Sequence, residues 1–406
     1  MRVLFLSTWF PYPCDNGSKL RVYHLLHALA QTHEVTLVSF AFDTARPEQP
    51  GNMHTSCADV HVVPLNPFMV NAASALHTFL SPHPVASRPV PAMRELVSNV
   101  LRSYTFDVVV ISTEVMAAYA NAVPAGVPRI LEEHNSMIRW ARERYNEQSA
   151  LLQRVRCWVS WRKQLWHEAR SFTRYSLVTM VSEVDRQTTL DAVGADRIRV
   201  EVVPNGVDCR HNHYSSAQPR PNTLVYNGAL TYSANYDAMQ WFLAEVYPRI
   251  KAQISGISLT ITGSTKGVDL RALALDESVH LTGYVDDVRL PVAEAMVCVA
   301  PIRQGGGTRL KILEAMALGT PVVSTSKGAE GLGGVDGEQL LIGDRPATFA
   351  DAVLRVMSNS DLHKCLRRNA RVLVETQYDW ENIGAQFVAL VEETAKGKKA
   401  DHQIRR

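Results

Sequence analysis

APIRQGGGTRLKILEAMALGTPVVST, residues 300 to 325, decides how this chain is to be read. An apolar run from Met296 to Pro301 enters three glycines, Gly305, Gly306 and Gly307, which let backbone amides approach a ligand with no side chain in the way. Thr308 is placed to cap a helix that ends at Gly319, and Pro321 prevents its continuation. Strand, glycine loop and helix in this order build an anion site, because free N–H groups and the positive end of the helix dipole face outward there. Arg309 and Lys311 add two cations at that end, where the dipole disfavours them unless an anion is present. A phosphate-bearing ligand resolves the conflict. Glu314 stands among Ile312, Leu313, Met316 and Leu318, and a carboxylate in such company must be paired or must meet a ligand. The bland alternative is a Lys311 to Glu314 pair at i, i+3 on a solvated helix face.

The same strand-then-helix pattern extends in both directions. Toward the N-terminus, short apolar runs at Val3 to Ser7, Glu34 to Phe40, Asp107 to Ser112, Arg129 to Leu131, Leu177 to Val181 and Ile198 to Val203 read as strands. Val22, Leu25, Leu26 and Leu29 recur at helical spacing between the first two. Nearer the quoted stretch come strands at Thr223 to Asn227, Ile257 to Thr262 and Val279 to Leu281, with a helix around Ala238 to Ile250. Strands alternating with helices predict an α/β protein with parallel sheets covered on both faces. Between the two series, Cys209 to Asn222 is polar, holds Pro219 and Pro221 and lacks apolar periodicity, so it reads as a linker. Domains of 1–212 and 213–380 follow, with a helix near 381–395 packing back on the first and a frayed basic tail at 396–406. Ligands of open parallel sheets bind beyond the carboxyl ends of the strands, so two such halves can present their loops to one cleft.

Composition agrees. The 406 residues exceed what one hydrophobic core usually organises. At 46% hydrophobic and 20% charged, the sequence excludes a disordered or fibrous chain. A net charge of +2 removes any general attraction to nucleic acid, so basic function must be local. Ser7 and Thr8 interrupt the first apolar stretch before a signal-peptide core forms, and no apolar run approaches the ~20 residues of a membrane span. Six scattered cysteines without zinc spacing read as free thiols of a reducing cytoplasm. No paired-Asp motif is read as holding a divalent ion on a diphosphate.

Together with PYPCDNGSKLRVYHLLHALA, VVPNGVD (residues 202 to 208) and VYNGALTYSANYDAMQWF (from Val225), the quoted segment resembles the family 4 (group 1) retaining glycosyltransferases. The resemblance implies a GT-B fold, two Rossmann-like domains facing across a cleft, with the nucleotide-sugar donor held mainly by the C-terminal one. It implies transfer of a sugar from a nucleotide-diphospho-sugar to an acceptor hydroxyl, glycan, lipid-linked or small-molecule, as in polysaccharide biosynthesis. It also implies metal independence, with the donor as co-substrate and no separate cofactor. Glu314 matches the second Glu of the family's E-x7-E motif, which holds the nucleotide ribose; the first Glu is absent, its place falling on Gly306. Gly228 to Tyr236, where relatives carry an Arg and a Lys for the diphosphate, has no basic residue. Arg309 and Lys311 are expected to supply those charges. Asn16 and Gly17 lie where the family's N-terminal glycine loop approaches donor or acceptor, and as bare sequence they are a turn and an N-cap. His134 matches a His near the donor sugar or acceptor hydroxyl, with Asn135, Asn205 and Gly206 shaping the cleft. An epimerase or a non-catalytic sugar-nucleotide-binding subunit of the same fold is the alternative.

One region stays open between two readings. Arg139, Arg142, Arg144, Arg154, Arg156, Arg162, Lys163 and Arg170 are interleaved with Trp140, Trp158, Trp161 and Trp166. Either Val155, Trp158 and Val159 pack on the core while the arginines are solvated, or a basic, Trp-bearing helix lies on an anionic bilayer at the inner face of the membrane.

Overall fold

The computed structural model describes residues 1–42, 56–68, 89–213 and 218–404. The chain divides into two compact units, Met1–Pro204 with Ile383–Arg406, and Asn205–Asn382. The first unit ends at Pro204, ahead of the expected linker. The described part of that polar stretch belongs to the second unit, and residues 214–217 lie outside the described residues.

The first unit is built on a parallel seven-stranded sheet: β1 (Arg2–Ser7), β2 (Glu34–Ala41), β3 (Asp59–Pro64), β4 (Val108–Ser112), β5 (Arg129–Glu132), β6 (Leu177–Met180) and β7 (Val200–Val202). Their order, β3-β2-β1-β4-β5-β6-β7, reverses direction between β1 and β4. β4 is buried throughout, which is why it reads as an unbroken apolar run. β3 is an edge strand with mostly half-exposed residues, so its apolar signal is weak and the sequence reading passes over it. Around the sheet lie α1 (Gly17–Ala30), α2 (Pro91–Ser103), α3 (Met137–Glu147), α4 (Leu151–Ser171) and α5 (Glu183–Val193). A last helix, α12 (Trp380–Ile404), returns to this unit from Ile383, where Ile383, Phe387, Val391 and Ala395 form one buried stripe at helical spacing. The backbone of 396–404 continues that helix instead of fraying; Arg405 and Arg406 lie outside the described residues.

The second unit carries a parallel six-stranded sheet of β8 (Arg220–Asn227), β9 (Ser258–Thr262), β10 (Val279–Gly283), β11 (Ala295–Ala300), β12 (Val322–Ser324) and β13 (Leu341–Ile342), ordered β10-β9-β8-β11-β12-β13. The expected single helix around Ala238 to Ile250 is α6 (Ser233–Trp241), a π turn at Phe242–Val246 and α7 (Tyr247–Lys251). Pro248 lacks an N–H and crowds the turn before it, which accounts for the π turn where a regular helix would need that bond. α8 (Arg289–Ala293), α9 (Leu310–Ala317), α10 (Pro346–Ser358) and α11 (Ser360–Leu373) complete the unit. Here the order reverses between β8 and β11, so each sheet has one switch point at its carboxyl edge.

Candidate functional site

At the second unit's switch point, β8 ends in Asn227 and Gly228, and β11 runs on to the glycine loop. Gly305 and Gly307 adopt φ of +88° and +82°, a conformation that side chains resist. Thr308 does not cap α9 as expected. Arg309 is the cap residue, and Thr308 Oγ1 instead lies 3.3 Å from Asn205 Nδ2. Arg309 is buried and turns back over the loop, donating through Nη1 to the Gly306 carbonyl at 2.6 Å and through Nη2 to the Gly305 carbonyl at 2.5 Å. Its guanidinium thus braces the glycine loop through the carbonyls of Gly305 and Gly306.

Lys311 reaches the opposite side. Its Nζ donates to Tyr226 Oη and to Asn235 Oδ1, both at 2.8 Å, and lies 4.2 Å from the Tyr226 ring centroid. A Cβ on Gly228 would stand 2.5 Å from that nitrogen, so the ammonium rests against the first loop of this unit, the segment that has no basic residue of its own. Burial, with the Arg309 guanidinium close by, brings Lys311 down to about 7. The Lys311 to Glu314 pair does not form. Glu314 Oε2 accepts from Asn227 Nδ2 at 3.0 Å, and burial raises its carboxyl above the usual range against the pull of Lys311 and Asn227. Tyr226, Asn227 and Asn235 were not singled out in the sequence. A polar Asn closing the apolar strand TLVYN is the one signal that could have found them.

Asn205 and Gly206 lie where the chain enters this unit. Next to them Val207 pairs with Asp379 where the chain leaves, through Val207 N to Tyr378 O at 2.8 Å and Trp380 N to Val207 O at 3.2 Å. Asn205 and Gly206 therefore stand beside a doubly crossed backbone.

The first unit's switch point gathers different chemistry. Ser112 closes β4 and Glu132 closes β5, so parallel pairing brings them side by side. Ser112 Oγ donates to Glu132 Oε2 at 2.8 Å, and Arg21 Nε on α1 donates to Glu132 Oε1 at 2.5 Å. Arg21 and Glu132 are both fully buried. Burial opposes the charge on Glu132, yet the Arg21 guanidinium and the neighbouring His134 hold its carboxyl well below the usual carboxylate range. His134 Nε2 lies 3.0 Å from Ser112 Oγ and 3.2 Å from Glu132 Oε2. Thr113, just past β4, takes φ 71°, a backbone strain of about 1–3 kcal/mol of the kind that collects at functional sites. Asn16 caps α1 by accepting from Lys19 N at 3.0 Å, the structural role its bare sequence suggests, and Gly17 begins that helix. Asn135 contacts the Met137 sulfur. Among the described residues no cluster of His, Cys, Asp and Glu could hold a metal ion.

Two family models match. The one described as glycosyltransferase family 4 covers residues 16–211, and the one described as glycosyl transferases group 1 covers 221–359. A 44.6 kDa protein in the cps region of Klebsiella pneumoniae is 23% identical over 394 residues, 94% of this chain and 97% of that protein. Among solved structures, a sucrose-phosphate synthase from Thermosynechococcus elongatus superposes with a TM-score of 0.71 at 17% identity, covering 97% of this chain and 99% of its own. HepE from Anabaena, in complex with UDP and glucose, superposes with a TM-score of 0.68 at 15% identity, covering 97% of this chain and all (100%) of its own. The architecture is the GT-B fold.

Proposed function

Since the chain belongs to the group 1, family 4 glycosyltransferases, we propose that it moves a sugar from a nucleoside-diphosphate sugar to an acceptor hydroxyl, retaining the anomeric configuration and using no metal ion. The observation that carries this reading is Lys311, held against Gly228 with Glu314 one turn further along the helix. In this reading Lys311 and the amides before α9 meet the negative charge that develops on the leaving diphosphate. Arg309 keeps the glycine loop in shape. Glu314 takes the ribose hydroxyls, and Gly305 to Thr308 stand where relatives place the missing first Glu. On the other unit, Asn16, Gly17 and His134 serve the acceptor side. HepE, which this chain resembles in fold, was solved in complex with UDP and glucose, so UDP sugars are the first donors to try.

A thermal-shift panel of UDP, GDP, ADP and their glucose conjugates tests the reading. A binder at 100 Kd is expected to add about 2.7 kcal/mol to the unit that holds it. No shift with any nucleotide would sink the donor assignment. Transfer to an added acceptor then separates a transferase from an epimerase, and binding without any turnover would mark a non-catalytic subunit.

A specific observation favours a glycan or lipid-linked acceptor met at an anionic membrane surface on the cytoplasmic side. Helix α4 is polar inward and apolar outward. Its buried residues are Gln164 and Glu168, whereas Leu151 and Leu152 are 76% and 85% exposed, and Val155, Trp158 and Trp166 are exposed with them. Val155 and Trp158 do not pack on the core, which was the first of the two readings of this region. Leu151, Val155, Trp158 and Trp166 share one face, and Arg154, Arg156 and Arg162 are exposed beside them. That combination suits the interface of an anionic bilayer. No helix among the described residues is long and apolar enough to cross a membrane. Sedimentation with vesicles containing phosphatidylglycerol is expected to carry the chain down at low salt, and Leu151→Glu with Leu152→Glu to abolish it. A wild-type chain left in the supernatant removes the membrane contact.

A further inference from the structure

The proposed function gives His134 a place in the site but says nothing of how its ring is held. We infer that Glu132 and Ser112 are positioning residues that fix His134 as the tautomer protonated on Nε2, leaving Nδ1 as a hydrogen-bond acceptor for a substrate hydroxyl. The inference rests on the glycosyl-transfer reading only for the identity of that hydroxyl.

Ser112 has one hydroxyl proton, and Glu132 Oε2, 2.8 Å away, takes it, because an ionised carboxylate can only accept. The Ser112 lone pairs are then what face His134 Nε2 at 3.0 Å. The second neighbour of Nε2, Glu132 Oε2 at 3.2 Å, also has no proton to give. Both atoms around Nε2 are acceptors, so Nε2 must carry the hydrogen. A neutral imidazole has one N–H and one lone pair, which places the lone pair on Nδ1. Among the described residues Nδ1 is buried and has no hydrogen-bond partner, so a hydroxyl that bonds to it must displace the atoms that cover it.

The carboxylate that imposes this choice is itself fixed at both oxygens. Arg21 Nε holds Oε1, and the Arg21 guanidinium is anchored in turn by Nη1 to the Pro204 carbonyl at 3.0 Å. Arg21 and Glu132 side chains are 1% and 0% exposed, so the pair is dry and its geometry is not shared with water. A lone pair on Nδ1 selects for O–H donors. Diphosphate oxygens are acceptors and gain nothing there, whereas a sugar or acceptor hydroxyl does. His134 in this state therefore serves the hydroxyl side of the reaction, and the phosphates are left to the other unit.

The full chain labelled with 15N-histidine tests this by long-range 1H–15N correlation, recorded at rising pH until the His134 ring carries a single proton. His134→Gln identifies the signals to follow. The expected result is a protonated Nε2 and an unprotonated Nδ1; a proton on Nδ1 overturns the inference. In Glu132→Gln the Nε2 proton is expected to exchange at least about tenfold faster with solvent, the order of one charge-assisted hydrogen bond. Where loss of the Arg21 partner prevents that variant from folding, Ser112→Ala, which removes only a hydroxyl, is expected to speed exchange in the same direction. Exchange unchanged in the folded variants would show that neither residue holds the ring. The measurement uses unliganded protein, so a chain with this tautomer but no transfer would refute glycosyl transfer and leave the assignment standing.

Discussion

Lys311 is where charge, burial and the proposed diphosphate contact fall on one atom. Its ordinary value of 10.5 falls to about 7 in the folded chain. Between those two values the unfolded chain binds a proton that the folded chain has lost, so stability rises with pH through that window. Nucleotide binding runs the other way. A diphosphate needs the ammonium, so above pH 7 binding must take up a proton, and UDP affinity is expected to fall by up to about tenfold per pH unit. Calorimetry of UDP binding at pH 8 in two buffers of different ionisation enthalpy reads that uptake directly, and zero uptake would show Lys311 is not on the phosphates. Lys311→Met should weaken UDP by about ten- to a hundredfold, the range of a charged hydrogen bond, and flatten the pH dependence. Gly228→Ala presses a methyl against the flexible end of Lys311, so UDP affinity should drop while the melting temperature stays within about 2 °C. Glycines 305 to 307, Lys311 and Glu314 were all legible as residues. Which way each side chain points was not, since the partners of Lys311 are 76 and 85 residues away in sequence and the partner of Glu314 is 87 away.

Helix α4 shows how an element can reverse the usual rule. Glu168 is buried beside Glu114, and Gln164 Nε2 donates to both, at 2.9 Å to Glu168 Oε1 and 3.0 Å to Glu114 Oε2. Burial and the Glu114 charge raise Glu168 from its ordinary value of 4.5 to about 8. In that window the folded chain holds a proton the unfolded chain has released, so this group makes stability fall as pH rises from about 4.5 to 8. Glu168→Gln should therefore raise the urea midpoint at pH 8 and change it little at pH 4.5. An equal effect at both pH values would show that Glu168 is ionised in the folded chain. Periodicity showed a helix here and interleaved Trp with Arg. It could not say which face turns inward, because a helix anchored by polar side chains has no apolar stripe to mark its buried side.

Across the molecule, the first unit is discontinuous and is completed only by the last helix. Phe387 and Val391 of α12 are fully buried, and a Cβ on Gly384 would stand 2.7 Å from Ala28 Cβ of α1. Phe387→Ala is expected to cost about 3–5 kcal/mol, concentrated in that unit. Scanning calorimetry should show one transition lowered and the transition of residues 205–382 in place; a uniform shift of both would mean the units unfold together.

By itself the sequence determined the alternation of strand and helix, the two series of it, the glycine loop and the family, because each is written in neighbouring residues: backbone freedom, capping and apolar period act over a few positions. Tertiary structure alone decided that Arg309 braces the loop while Lys311 faces Gly228, that Glu132 is held between Arg21 and Ser112, and that the first unit ends at Pro204 and resumes at Ile383. Those outcomes depend on which strand ends become neighbours in a sheet. A parallel crossover sets that neighbourhood over tens of residues, and no local pattern records it.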